Sequence, residues 1–167
     1  MATNSEPGLP PGVLTALLPR RNRPIPTALA SFPGGIADVS TPDGDSLYNK
    51  FDLLCPRPEC GSIILRAGVA KLLERPSIQM EPADRTPAAL LPLPQPPAST
   101  EWWLVTPSPM EFENIGFSKP VAPLSSGDKQ LKLLLCAQCD LGPLGWSEVD
   151  GTEFWLACSR VGYRADS

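Results

Sequence analysis

Hydrophobic and polar positions alternate along this chain in short runs, without any long stretch of 3.6-residue periodicity. One run, at 62–73, begins with the β-branched letters "SII" and is typical of a strand, and Gly68 is expected to divide it into two short strands. The pattern predicts an antiparallel, mainly β domain over residues 51–164. Further strand-like runs are "EWWLV" (101–105), "MEFENIGF" (110–117) and "QLKLLLC" (130–136).

A hairpin signal lies near the C-terminal end of this pattern. Asp150 and Gly151 are flanked by strand-like runs, and the pair favours a type I′ turn, in which both central residues need a positive φ. Alternation in the second run places Phe154, Leu156 and Cys158 on one face of a strand. Cys158 is therefore expected to be a buried structural thiol, and a lone redox nucleophile is the alternative.

Proline-rich segments set the expected domain organisation. The chain has 167 residues and 22 prolines, and its first 50 residues are rich in Pro, Gly, Ser and Thr. We expect residues 1–50 to form a mostly disordered tail before a single domain at 51–164. Residues 81–100 contain six prolines, which remove backbone donors, so a flexible or polyproline-like loop is predicted there within the domain.

Charge and hydropathy exclude several classes of protein. The net charge is −4 and the basic residues form no long run, which argues against an affinity mainly for nucleic-acid phosphates. No apolar run reaches the roughly 20 residues that cross a bilayer. The odd cysteine count, without a secretory signal pattern, favours a reducing compartment such as the cytoplasm over a disulfide framework.

The chain has five cysteines and no histidine, which limits the available chemistry. Without His, the Ser-His and Cys-His nucleophilic mechanisms are excluded. Cys55 and Cys60 enclose four residues, and Cys136 and Cys139 enclose two. Structural zinc sites often take four thiolates from two such pairs, and four thiolates leave no open position for a catalytic water. The sequence thus predicts one structural Zn²⁺ at these four cysteines.

Turn-forming residues follow each cysteine pair. Gly61 and Asp140 both tolerate the positive φ that a tight metal-binding turn favours. A redox dithiol at Cys136 and Cys139, or buried cysteines that pack as small apolar groups, are the alternatives. The Gly-Pro-x-Gly stretch at 142–145 opposes the helix that follows a thioredoxin-like dithiol.

The sequence resembles the Rab-interacting-factor (Mss-four/Dss-four) family in "CGSIIL", "WWLV", "FENIGF" and "CAQCDLGPLGW". The most distinctive matches are "EFENIGFSK" (111–119) and the C-x-x-C-x-x-G-P-x-G-W pattern (136–146). The resemblance covers most of 51–164. It implies the β-tent fold, in which one zinc ion joins two loops at one end of a sheet-rich domain.

The same resemblance implies a function. Proteins of this family bind nucleotide-free Rab-type small GTPases and promote GDP/GTP release in vesicular transport, as weak exchange factors or as chaperones of the empty GTPase. Such a regulator needs no catalytic residue of its own. It is expected to be a cytoplasmic monomer that reaches membranes through its Rab partner. The resemblance implies a partner surface at the zinc end and in the segment that begins with Thr106 and Pro107. Its candidate residues are Ser108, Pro109, Met110, Glu111, Phe112, Glu113, Asn114, Gln138 and Asp140.

The chain departs from the family pattern near the predicted metal site and near the implied partner surface. The first cysteine pair is C-x4-C instead of C-x2-C, and Gln138 replaces an acidic residue. The stretch before "FENIGF" is one residue longer and proline-rich, so that Met110 is its one clear hydrophobic anchor. Phe117 is expected to be core. For Glu113 and Asn114, contact with the partner and hydrogen bonding at a turn remain equal alternatives.

Two other functions compete with GTPase binding. Methionine-sulfoxide reductases of the B type share the tent-like fold and a four-cysteine zinc site, and Cys158 would be the nucleophile. The missing His and the lack of a nearby resolving cysteine oppose this alternative. The other alternative is a zinc-ribbon interaction module that binds nucleic acid, which the net charge of −4 opposes.

Overall fold

The computed structural model describes residues 24–122 and 130–165 of the chain. Eleven strands are found in these residues, and every pairing between them is antiparallel. The strands are β1 (Ser40–Asp43), β2 (Ser46–Asn49), β3 (Leu53–Leu54), β4 (Ile63–Leu65), β5 (Lys71–Pro76), β6 (Ser99–Val105), β7 (Gly116–Phe117), β8 (Leu131–Leu135), β9 (Gly145–Glu148), β10 (Phe154–Ala157) and β11 (Gly162–Tyr163).

The strands form two sheets. Eight of them make a large sheet in the order β1-β2-β5-β6-β10-β9-β8-β7, and three make a small sheet in the order β11-β3-β4. Helical structure in the described residues is limited to one turn of α-helix at Ile36–Val39 and four short 3₁₀ turns, at Leu29–Ser31, Ala83–Arg85, Pro109–Glu111 and Cys158–Arg160. The prediction of a mainly β protein is confirmed. None of these helical segments is long and apolar enough to cross a membrane.

Alternation along the central strands produces two hydrophobic clusters. In β6, Trp103 and Val105 belong to the first cluster, which also contains buried side chains of the small sheet, whereas Trp102 belongs to the second. In β10, Phe154 faces the first cluster and Trp155 the second. Successive side chains of a strand point to opposite faces, so the first cluster lies between the sheets and the second on the other face of the large sheet.

The second cluster is partly covered by a basic side chain. The guanidinium carbon of Arg75 lies 4.4 Å from the ring centroid of Trp155 and 5.1 Å from that of Trp146. Arginine stacks well on aromatic faces because its charge is delocalised over a plane and weakly hydrated. Trp102 meets Trp146 edge to face, with ring centroids 6.3 Å apart. This face of the sheet is therefore packed.

Two strands of the large sheet precede Phe51, the residue at which the domain is expected to begin. Strands β1 and β2 lie before Phe51, and β2 pairs with β5 in the large sheet. Asn49 is fully buried, and its side chain donates to the carbonyls of Phe51 and Arg66 and accepts from the Ala70 N–H. The composition of this stretch predicted a tail because its residues are largely polar. In the structure most of them are half-buried or exposed. The first 23 residues of the predicted tail lie outside the described residues.

The positions of Gly68 and of the C-terminal hairpin agree with the predictions from the sequence, with one difference in the turn. Gly68, at φ 84°, separates β4 from β5 as predicted. Strands β9 and β10 form the predicted hairpin, but Asp150 has a φ of 65° and Gly151 is not among the glycines with positive φ. The Gly151 N–H donates to the Glu148 carbonyl across 2.9 Å. The predicted type I′ turn is therefore wrong, because only one central residue needs the left-handed region.

A buried arginine attaches the proline-rich stretch at 81–100 to the domain. Arg160 is 1% exposed, and its guanidinium nitrogens contact the two carboxylate oxygens of Glu81 at 2.9 and 2.6 Å. The same side chain donates to the carbonyls of Leu91 and Pro143 at 3.0 and 2.9 Å. The composition of 81–100 did not indicate these contacts, because they depend on a residue that lies 69 positions after Leu91 and 79 after Glu81.

Candidate metal centre

The four predicted ligands converge from two distant parts of the chain. Cys55 follows β3 and Cys60 precedes β4, whereas Cys136 follows β8 and Cys139 lies in the turn after it. Their sulfur atoms all lie within 4.8 Å of one another. The Cys55 and Cys139 sulfurs are 3.6 Å apart, and those of Cys60 and Cys136 are 3.8 Å apart. Each of these two contacts joins sulfurs from different pairs.

Each pair is held in a tight turn, which we call a knuckle. In the first knuckle, at 55–60, the N–H groups of Cys60 and Gly61 both donate to the Arg57 carbonyl, at 2.9 and 3.1 Å. In the second, at 136–139, the Asp140 N–H donates to the Cys136 carbonyl at 2.8 Å. Gly61 has a φ of 63° and Asp140 a φ of 64°. Both residues adopt the positive φ that their positions predicted.

The donor set fits a zinc ion. Four sulfurs at about 2.3 Å from a tetrahedral zinc ion are separated by about 3.8 Å. The Cys55–Cys139 and Cys60–Cys136 sulfur–sulfur distances, 3.6 and 3.8 Å, agree with that edge length. An all-sulfur set is typical of zinc and opposes Mg²⁺ or Ca²⁺, which prefer oxygen ligands. Four thiolates could hold a metal ion here as a structural link between the two knuckles.

The surroundings of Cys136 favour its thiolate form, which is the form that binds metal. The adjacent Cys55 thiol has the largest effect, and it helps to lower the pKa of Cys136 to about 4. Burial opposes this shift, but backbone N–H groups of the second knuckle and the Asn114 amide act in the same direction as Cys55. The pKa of Cys55 is raised in turn by its hydrogen bond to Cys136 and by burial.

Asn114 connects the "FENIGF" segment to the second knuckle. Its side-chain oxygen accepts the Ala137 N–H at 3.0 Å, and its amide nitrogen donates to the Cys136 sulfur at 3.6 Å. The backbone N–H groups of Glu113 and Asn114 point to the Ile64 carbonyl, at 2.8 and 3.4 Å, just after the first knuckle. The segment is therefore tied to the second knuckle and to β4, the strand that follows the first knuckle. The side chain of Asn114 satisfies a turn, which was one of the two alternatives for this residue.

The residues expected at the partner surface fall into two groups. One group is exposed to solvent, and the exposed fraction of Met110 reaches 86%. This group consists of Pro109, Met110, Glu111, Glu113, Gln138 and Asp140. Phe112 is half-buried and meets the Phe154 ring edge to face at 6.1 Å, as Phe117 does at 6.0 Å. Phe112 and Asn114 are thus turned toward the protein, while the Met110 side chain projects into solvent.

A 3₁₀ turn presents Met110. Pro109 begins the turn, and the Ser108 hydroxyl accepts the Met110 N–H at 2.9 Å, which caps it. Proline fixes φ at the start of a turn, and a serine cap satisfies a free N–H group. Glu113 lies 3.7 Å from Arg66 in an exposed ion pair. The extra, proline-rich residue in this stretch is accommodated as an ordered turn.

Cys158 has the properties of a core residue and not of a nucleophile. It is 1% exposed, and burial raises the pKa of its thiol well above the usual value, as does the nearby Glu101 carboxylate. A raised pKa keeps the thiol protonated and unreactive. Phe154, Leu156 and Cys158 share the first cluster, as their alternation predicted. All five cysteines are described, and none forms a disulfide.

Comparison with known proteins now identifies the family. Residues 48–163 match the family model described as "Mss4 protein". The chain belongs to the Mss4 family. A fission yeast (Schizosaccharomyces pombe) protein named "Guanine nucleotide exchange factor MSS4 homolog" is 37% identical over 60 residues, which are 36% of this chain and 54% of the relative. A Drosophila melanogaster protein of the same name is 39% identical over 61 residues, 36% of this chain and 43% of the relative.

The resemblance in the cysteine and "FENIGF" motifs is thereby confirmed as membership of the Mss4 family. The matched segments span about half of the length of these curated relatives. The family match begins at residue 48, so residues 24–47, which the structure places in contact with the domain, lie outside it. Sequence reasoning missed these residues and the buried Arg160. A basic residue amid the apolar letters "FWLACSRVGY" was the available signal for Arg160.

Proposed function

We propose that this protein binds a small GTPase of the Rab type in its nucleotide-free form and promotes the release of GDP or GTP. Two relatives are named as guanine nucleotide exchange factor homologs, which supports the exchange activity. The observation that carries the proposal in this chain is Met110, which is 86% exposed on a capped turn. The residues just after this turn are hydrogen-bonded to the second knuckle and to β4. An exposed apolar side chain on a fixed turn is a suitable anchor for a protein partner.

The proposed surface consists of the turn at 108–113 and the exposed residues of the second knuckle, Gln138 and Asp140. The Asn114 side chain contacts the Ala137 N–H, and Ala137 precedes Gln138, so the two parts adjoin. In this proposal Met110 is the apolar anchor, and Glu111, Glu113 and Asp140 provide polar contacts around it. Phe112 and Asn114 hold the surface in place from behind.

Release of nucleotide would follow from differential binding. A protein that binds the empty GTPase more tightly than the loaded one lowers the nucleotide affinity by the same factor. No acid, base or nucleophile of this chain takes part. The protein is thus proposed to be a regulator in vesicular transport, as an exchange factor or as a chaperone of the empty GTPase. It would act in the cytoplasm and reach membranes through its partner.

The proposed metal is one structural Zn²⁺ held by Cys55, Cys60, Cys136 and Cys139. It would fix the two knuckles, and through Asn114 also the turn that carries Met110. Elemental analysis of the purified protein is expected to give about one zinc per chain. A folded protein that contains no zinc would rule out this metal without deciding the question of GTPase binding.

Release of a fluorescent GDP analogue from a panel of Rab proteins tests the proposal directly. The protein is expected to accelerate release from at least one Rab and to form a stable complex with its empty form. Met110→Lys is expected to reduce the acceleration by about tenfold or more, because a charged group replaces the apolar anchor. Leu91→Lys is the control, since Leu91 is also exposed, at 55%, but lies on the proline-rich loop.

Two results would contradict the proposal. The first is the absence of both acceleration and complex formation across the panel. The second is an equal effect of Met110→Lys and Leu91→Lys, which would mean that Met110 has no particular role and that the partner surface lies elsewhere. Circular dichroism of both variants shows whether they are folded.

A further inference from the structure

Residues 24–32, which we call the strap, lie outside the family match and pack against the end of the domain that carries the cysteines. Thr27 pairs with Tyr163 of β11 in an antiparallel bridge, and each donates its N–H to the other's carbonyl at 2.9 Å. The strap therefore extends the small sheet by one bridge at its β11 edge. An edge that would otherwise expose free backbone groups is covered.

The strap also touches the first knuckle. A β-carbon at Gly61, the residue after Cys60, would collide with the Pro24 carbonyl oxygen, and one at Gly162 would collide with Pro26. The two prolines of the strap are thus seated directly on two glycines. Glycine is the residue that permits such a close approach of two backbone segments.

An aromatic side chain fixes the other end of the strap. The Phe32 ring stacks on Phe51 and meets Tyr163 edge to face, both at centroid distances of 5.9 Å. Leu29 and Phe32 pack against the first cluster, which includes the buried Cys55 and Cys60. The strap is therefore attached to the domain on both sides of Thr27, and the first knuckle lies beneath its N-terminal end.

We propose that the strap is a positioning element of the metal centre, which holds the first knuckle closed and slows the release of the metal. The first knuckle has four residues between its cysteines and is followed by a glycine at φ 63°, so it can open in more ways than a shorter loop. Seating Pro24 on Gly61 removes that freedom. The inference rests on the zinc site proposed above and adds a determinant that lies outside the family domain.

A proline substitution in the strap weakens the attachment of the strap to β11 and leaves the rest of the fold unchanged in sequence. Thr27→Pro removes the N–H that Tyr163 accepts, whereas Ala28→Pro is the matched control, because Ala28 already has a φ of −72°. The zinc-loaded full-length proteins are mixed with an excess of a chromophoric chelator. Thr27→Pro is expected to release zinc about tenfold faster, in the range found when groups that support metal ligands are lost. Ala28→Pro is expected to match the wild type.

A second pair of variants checks the contact with the knuckle itself. Gly61→Ala and Gly68→Ala both place a side chain at a positive φ, but only the first meets the strap, since nothing lies within 4 Å of a β-carbon at Gly68. We expect Gly61→Ala to release zinc faster than the wild type and Gly68→Ala to release it at the wild-type rate. Equal release rates in this pair, or unchanged release from Thr27→Pro when hydrogen exchange shows the Tyr163 N–H to be free, would overturn the proposal.

General loss of stability must be separated from a specific effect on the metal. Leu104→Ala weakens the second cluster on the other face of the large sheet and serves as a destabilised reference. Release from Leu104→Ala is expected to remain near the wild-type rate. If it increases as much as in Thr27→Pro at a similar urea midpoint, the strap has no specific role. If the wild type binds one zinc but Thr27→Pro releases it at the wild-type rate, this inference alone is overturned. If the wild type binds no zinc, the proposed zinc site and this inference are both overturned.

Discussion

Single hydrogen bonds of Asn114 connect the four-cysteine cluster with the turn that carries Met110. Its amide supports a thiolate of the second knuckle, and its backbone continues into the turn that presents Met110. Groups that hydrogen-bond to metal ligands fix the geometry of those ligands and the charge on them. We therefore expect this side chain to affect both the proposed metal site and the placement of the proposed partner surface.

Substitution of Asn114 is expected to weaken metal binding, and two variants remove different parts of its contacts. Asn114→Asp keeps an oxygen for the Ala137 N–H but loses the donor to Cys136 and places a negative charge near the thiolates. Asn114→Ala loses both bonds. We expect both variants to lose metal affinity by about tenfold or more in a competition titration with a chelator. Glu113→Gln, at the neighbouring position, is the control, because the Glu113 side chain points to Arg66 instead of the second knuckle. Wild-type affinity in Asn114→Ala would refute this role.

At the scale of elements, the buried ion pair between Arg160 and Glu81 links the proline-rich loop to the turn after β10. The Arg160 side chain is completely buried and that of Glu81 is 14% exposed. Burial raises the pKa of Glu81, but the hydrogen bonds and charge of Arg160, together with Thr86, lower it below the usual value overall. The ionised form of Glu81 is thus favoured by the fold.

Breaking this pair is expected to destabilise the protein. Glu81→Gln leaves the Arg160 charge buried without its partner, a change that typically costs about 3–5 kcal/mol of unfolding free energy. Urea unfolding at pH 7 measures it, and Asp84→Asn, an exposed substitution in the same loop, is the control. A difference between Glu81→Gln and the wild type that is no larger than the effect of the control would contradict the role of the pair.

The pH dependence of this pair has a definite sign. Because the fold lowers the pKa of Glu81, its stabilisation is complete above the ordinary glutamate value of about 4.3 and is lost as pH falls through the lower value in the folded state. The stability difference between the wild type and Glu81→Gln is therefore expected to shrink in acid. The difference between the two proteins is the relevant quantity, since protonation of the cysteines affects both equally. A constant difference from pH 7 to pH 3 would be inconsistent with this titration.

The elements that the sequence predicted are those with two unlike faces or a buried run. Strands β6 and β10 separate two hydrophobic clusters by simple alternation, and Gly61 and Asp140 mark turns by their backbone preferences. The edge strand β1 and its neighbour β2 carry no such signal, since their side chains are half-buried or exposed for the most part. Their place in the sheet depends on pairing with β5, which a local pattern does not reveal.

The candidate site was predictable to a similar, limited extent. Cysteine spacing indicated the four sulfurs, because a tight turn brings two of them together within each pair. The orientation of Asn114 and the seating of the strap were not predictable, since each depends on contacts between segments far apart in sequence. Local chemistry thus indicated the ligands, whereas the groups that support them required the fold.

At the scale of the whole molecule, the boundary of the folding unit can be tested by truncation. A chain that begins at Pro24 keeps every contact described here. A chain that begins at Phe51 loses β1, β2, the buried Val39 and the three hydrogen bonds of Asn49, and it exposes the face of Phe51 on which Phe32 stacks.

We expect the chain that starts at Pro24 to unfold in urea at the same midpoint as the full-length protein. The chain that starts at Phe51 is expected to be several kcal/mol less stable, or to aggregate, because Ala70 loses a buried hydrogen-bond partner and the apolar contacts of Val39 are missing. A start at residue 48, where the family match begins, restores Asn49 but not Phe32 or Val39 and should be intermediate. Equal midpoints for all three chains would show that residues 24–50 only lie on the surface of a domain that is complete without them.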